Sequence, residues 1–211
     1  MAKAIALVGA CTLLIALVIV PAGSAGQPAT QTLNPPPPPG LTCKAVGGGT
    51  ICSGTRSFAY SELLNDEGGP AFTCGSGANT FLLVDSGIHD QNTKRTYDAN
   101  GFLTERVVHD AFHSTFSNSV TGAAVPYTQH DTITDELAVP GDFGSATETL
   151  TGLLTNVTLP GQGTVWLQAG RTVTAGPNLD LVSEAGPHAG NDWSYRGDTS
   201  VWAPVCAAVG G

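Results

Sequence analysis

Thr96-Tyr97-Asp98-Ala99-Asn100-Gly101-Phe102-Leu103-Thr104 is the stretch that decides the fold. Asp is favoured at the first position of a type I turn and Gly at the fourth, where φ must be positive. The pattern predicts a hairpin with a three-residue loop, residues 99–101, closed by a bulge. Asp98 is then opposite Phe102, and the two flanking runs pair antiparallel.

Working outward, the chain after residue 80 reads as β almost throughout. Strand-like runs cover 80–86, 89–97, 102–116, 124–137, 147–159, 164–174, 179–184 and 193–196, separated by turn signals such as Thr121-Gly122, Pro140-Gly141 and Pro160-Gly161-Gln162-Gly163. Threonine and valine are abundant and no long stretch repeats its apolar residues every 3.6 positions, so helices are minor. Short helical turns are expected at 61–66 and in a C-terminal segment running from Asp198 toward Cys206, with Pro204 limiting its length. Sequential strands with short connections make an all-β antiparallel meander. Closure into a β-barrel, lipocalin-like or calycin-like in architecture, removes the exposed edges and is the expected form, with a β-sandwich as the alternative.

The first forty residues indicate compartment. Lys3 precedes an unbroken apolar run from Ile5 to Val20, followed by Pro21-Ala22-Gly23-Ser24-Ala25. This is the layout of a secretory signal peptide over residues 1–25, too short for a membrane span and without a basic stop-transfer flank. Val8-Gly9-Ala10-Cys11 resembles the box before the acylated cysteine of bacterial lipoproteins, but the apolar region continues past Cys11. Residues 26–41, with five consecutive prolines, are expected to form a stiff extended linker. Residues 42–211 are read as one β domain, secreted or held at the cell surface.

The formal charge is −9, from eight Lys and Arg against seventeen Asp and Glu. A surface of that sign repels phosphate backbones and anionic lipid, which argues against nucleic-acid partners. Beyond the leader the cysteines are Cys43, Cys52, Cys74 and Cys206, with no C-x-x-C pair. In an oxidising compartment two disulfides are expected. Cys43 pairs best with Cys52 across the turn-forming Val46-Gly47-Gly48-Gly49, which leaves Cys74 for Cys206.

Three of the five histidines sit in His-Asp dipeptides: His89-Asp90, His109-Asp110 and His130-Asp131. His109 and His113 have the spacing of a His-Glu-x-x-His zinc helix, but Asp stands in the place of the Glu and the neighbours favour a strand. On a strand, residues 109 and 113 share a face. If the pairing runs in step from Asp98 opposite Phe102, His89, Gln91, Arg95, Glu105, His109 and His113 gather on one face, and Phe102, Val108, Phe112 and Phe116 form the core on the other. A slip of one residue sends His89 across the sheet. In step, His89, His109 and His113 are candidate ligands for zinc or another divalent metal, or candidate acid–base groups.

The Tyr97-to-Gly101 hairpin resembles one YD repeat of large wall-associated and toxin-carrying proteins, from which only the hairpin geometry carries over. Together with Gly122-Ala123-Ala124-Val125-Pro126-Tyr127-Thr128 and Asp198-Thr199-Ser200-Val201, it also resembles small secreted bacterial β-domain proteins over roughly residues 50–211. That resemblance implies a common fold and carries no activity. The functional expectation is therefore a secreted, disulfide-stapled β-barrel that binds a small ligand or an extracellular partner. The alternative is an extracellular barrel enzyme, an isomerase, lyase or hydrolase, using the histidine-rich face.

Overall fold

The hairpin forms as its residues dictate. Asp98 N–H donates to Phe102 O (2.9 Å) and Gly101 N–H to Asp98 O (3.1 Å), while Gly101 takes φ 83°. The Asp98 carboxylate accepts from the backbone N–H of Asn100 and of Phe102, locking the loop. One residue further on, the pairing slips. Tyr97 faces Leu103 but Thr96 faces Glu105, leaving Thr104 as a bulge whose hydroxyl donates to Thr96 O (3.1 Å).

The computed structural model describes residues 32–64, 71–187 and 202–210. It contains nine antiparallel strands: β1 (Thr42–Val46), β2 (Gly49–Leu63), β3 (Thr73–Cys74), β4 (Phe81–Tyr97), β5 (Leu103–Asn118), β6 (Ala124–Leu137), β7 (Ala146–Leu159), β8 (Gly163–Ala175) and β9 (Asp180–Ala185). One short helix, α1 (Ala203–Gly210), ends the described chain. The sheet order is β1-β2-β4-β5-β6-β7-β8-β9, with β3 pairing beside β4. The signal peptide, the start of the linker, the run at 193–196 and the Asp198 cap lie outside the described residues.

Several expectations are corrected. The ladder is open, since β1 and β9 end it and do not pair with each other among the described residues. Both terminal strands are short, exposed and charged, through Lys44 on β1 and Asp180 and Glu184 on β9, which blunts their edges without closure. Residues 61–63 continue β2 rather than opening a helix. Within residues 32–41, Leu33 and Leu41 pack against the apolar cluster that contains Tyr97 and Leu103, and Tyr97 Oη donates to Pro35 O (3.0 Å).

The inner face of the sheet carries two apolar clusters with a polar middle. At one end α1 lies across the strands, and Trp202, Val205 and Val209 pack on Leu83, Phe116, Val157 and Trp166. The Cys74–Cys206 disulfide ties the helix there, while Cys43–Cys52 joins the directly paired positions of β1 and β2. At the other end Cys52, Tyr97, Leu103, Leu137 and Ala146 form the second cluster. Phe102, expected in the core, is 40% exposed, because the bulge sets Leu103 inward in its place.

The sheet is strongly curved. Tyr60 on β2 reaches Tyr127 on β6 (2.9 Å between hydroxyls) over two intervening strands. It passes above Gly87, where a Cβ would come within 2.3 Å of Ser114 Oγ. A second line of glycines crosses β7 and β8 and runs on just past the end of β9, at Gly152 (φ 131°), Gly170 (φ 134°) and Gly186 (φ 120°). A Cβ at Gly170 would lie 2.1 Å from Ala185 O. No L side chain fits these extended, positive-φ positions, so the line is a built crease at which the backbones close up.

Candidate functional site

The bulge at Thr104 determines where the chemistry-bearing residues go. With β4 and β5 offset by one, His89 pairs with Phe112, Gln91 with Asp110 and Asn92 with His109. His89, Gln91 and Arg95 turn inward, whereas Glu105, His109 and His113 turn outward. The single histidine face is therefore not formed, and its three proposed metal ligands stand on two sides of the sheet. Among the described residues no three His, Cys, Asp or Glu side chains converge as a metal site.

Each His-Asp dipeptide is split across the sheet by the two-residue period of a strand. His89, Asp110 and Asp131 face inward. Asp90, His109 and His130 face outward.

Inside, His89 Nε2 lies 2.7 Å from Asp110 Oδ1, and its ring is stacked on Phe112 at 3.7 Å and flanked by Phe58 at 4.8 Å. Asp110 is directly opposite Asp131 on β6. Gln129 Nε2 donates to Asp131 Oδ1 (2.8 Å), and Asp131 Oδ2 is buried with no partner. Burial above all, with the Asp110 charge added, pushes the Asp131 carboxyl up to about 6, against the opposing pull of Gln129 and His89. Gln91 accepts from the Arg56 guanidinium, and Arg95 donates to Pro36 O (3.3 Å).

A second inner network lies nearer α1. Asp85 accepts from Tyr60 Oη (3.0 Å) and from Tyr127 Oη (2.9 Å to each carboxylate oxygen), and Ser114 Oγ is 2.8 Å from the Tyr60 hydroxyl. Burial raises the Asp85 carboxyl to about 6, although both phenols favour its ionised form. Burial likewise raises Tyr60 to about 12 and moves Tyr127 upward. These groups satisfy one another, so the network serves first as the polar packing of a curved face.

Outside, a cavity of about 890 Å³ runs across five strands, lined by residues 55–57, 90–92, 109–111, 130–132 and 151–152. Its exposed side chains, Thr55, Ser57, Asn92, His109 and His130, all belong to the outer face. The inner-face neighbours two positions away, such as His89, Thr93, Val108 and Phe112, do not line it. The cavity is thus an outward groove between two rows of side chains. One row is Thr55, Asn92, His109, Thr132 and Thr151; the other is Ser57, Asp90, Ala111 and His130. The backbone of the row between them is the floor.

The groove carries hydrogen-bonding groups along both of its walls. His109 Nδ1 is 2.8 Å from Thr132 Oγ1, which fixes the imidazole and leaves Nε2 directed away from that partner. His130 flanks Ala111 opposite Asp90, and its ring meets His113 at 5.8 Å. Ala111 keeps the centre of the groove low. Glu105 lies outside the groove, near Lys94 (3.9 Å).

Sequence reasoning included His109 and His113 but missed His130, Asp90, Asn92 and the low centre at Ala111. The repeated His-Asp dipeptide is the signal that pointed to His130 and Asp90. Compared with known proteins, the chain matches no family model, no curated protein and no solved structure.

Proposed function

We propose that the protein is an extracellular binding protein whose ligand is a polar molecule held in the outward groove. The observation that carries this reading is the groove itself, about 890 Å³ and walled by hydroxyl, amide, imidazole and carboxylate groups. That volume lies within the usual range of small-molecule sites, on the order of 300–1,000 Å³. The walls stand on long paired strands, so their spacing is fixed before a ligand arrives. Hydroxyl, amide and imidazole groups on both walls favour a ligand that itself carries donors and acceptors. Two disulfides accord with an oxidising compartment, and no described helix is long and apolar enough to cross a membrane.

The test is an amide-shift titration of isotope-labelled protein with a library of small polar fragments. Hits are expected to move Asn92, His109, Ala111 and His130 together. Shifts elsewhere, or none at all, would overturn the assignment.

A second reading has one observation in its favour, the His89–Asp110 pair beside the half-exposed Phe58. A carboxylate bonded to one ring nitrogen is the arrangement that orients an imidazole for proton transfer. Asp110 itself is buried, so an acid–base role falls to His89 alone. Replacing His89 by Gln should then abolish turnover while leaving groove binding unchanged.

A further inference from the structure

We infer that the groove binds an extended, uncharged polyhydroxylated chain, a glycan segment laid across the strands with its rings following the strand spacing. The inference rests on the groove being a binding site and adds the class of ligand.

The groove crosses β2, β4, β5, β6 and β7, and neighbouring strands lie about 4.8 Å apart, so it is roughly 19 Å long. That interval is close to the length one pyranose ring adds to an extended chain. Along one wall each strand presents one polar side chain per interval, in the order Thr55, Asn92, His109, Thr132, Thr151. These are hydroxyl, amide and imidazole groups at a repeated spacing, none of them an acid or a lysine or arginine, and sugar hydroxyls both donate and accept.

Other partners fit less well. A nucleic acid would need cations along the groove, yet the one basic residue lining it is Arg56, whose guanidinium is turned inward to Gln91. The chain's net charge of −9 opposes any polyanion. A protein partner would want a buried aromatic or aliphatic anchor, and the lining offers Ala111 and Gly152 as its apolar positions. Ala111, the smallest member of the second wall, stands between Asp90 and His130 and leaves that wall low enough for a ring to lie over it.

The test uses calorimetric titration with cello-oligosaccharides and chito-oligosaccharides, from the monosaccharide to the hexasaccharide. Affinity should rise several-fold with each added ring until the five strands are covered, then level off. Ala111→Phe, which fills the groove from an outward position, should abolish binding. Thr115→Phe, on the same face beyond the groove, should bind as the parent does, and melting curves of both variants would verify folding.

Binding that is independent of chain length, or that survives Ala111→Phe, would overturn the inference. So would the failure of every oligosaccharide at millimolar concentration. If fragments of another chemistry still shift the groove amides, the binding site stands and only the ligand class is wrong. If nothing shifts them, both fail.

Discussion

Asp110 and Asp131 stand directly opposite each other on β5 and β6, both turned to the inner face and each less than a tenth exposed. One holds His89 and the other holds Gln129, so the two carboxyls occupy adjacent positions with separate partners. Burial raises the Asp131 carboxyl, and the Asp110 charge opposite it adds to the effect.

Two buried inner-face carboxyls predict an unusual pH dependence. Asp85 and Asp131 are both raised from 3.8 to about 6. A raised acid binds more protons in the folded than in the unfolded state between those values. Its contribution is fully present below about pH 4 and is lost as pH rises through about 6. Urea melts from pH 4 to pH 8 should show stability falling over that window. Asp131→Asn should weaken the fall and be more stable than the parent at pH 7, with little difference at pH 4.

The glycine crease predicts sharply graded costs. Gly170→Ala combines φ 134° with a Cβ 2.1 Å from Ala185 O, where backbone must move. It should destabilise by roughly 3 kcal/mol or more, if it folds at all. Gly161→Ala, in a turn at φ 75° with open space around the new Cβ, should cost roughly 1 kcal/mol. Thermal melts of the two variants check the order.

The Cys74–Cys206 bridge spans 132 residues of sequence and holds α1 on the inner face. In the chain-entropy view a loop of that length contributes roughly 4–5 kcal/mol. A Cys74→Ala Cys206→Ala variant should lose most of that in urea denaturation. Its Trp202 emission should also shift to the red as the indole leaves its contacts with Trp166 (4.3 Å) and Phe116 (5.1 Å).

Much of the fold is legible in the sequence, because turns and strand period are local properties. The Asp98 to Phe102 closure, the antiparallel order from β4 to β9 and the Cys43–Cys52 disulfide follow from residues close to each feature, and Cys74–Cys206 is the pair that remains. The bulge is different. Nothing in Phe102-Leu103-Thr104-Glu105 announces that Thr104 will bond to Thr96 O and drop out of the ladder. That one residue shifts all later pairs and sends His89, Gln91 and Arg95 to the face opposite His109 and His113. β2 also went unread, since Gly54, Ser53 and Ser57 dilute its pattern, and its place beside β4 comes from long-range pairing. The crease was illegible for the same reason: Gly152, Gly170 and Gly186 are far apart in sequence and meet only in the sheet.

The central claim is that the bulge divides the histidines between two faces, with His109 and His130 on an open groove and His89 enclosed between Phe58 and Phe112. Carbethoxylation of the native protein followed by peptide mass mapping measures this directly. His109, His113 and His130 should be modified rapidly and His89 slowly, with the difference lost in urea. Modification of His89 as fast as His109 in the folded protein would contradict the account.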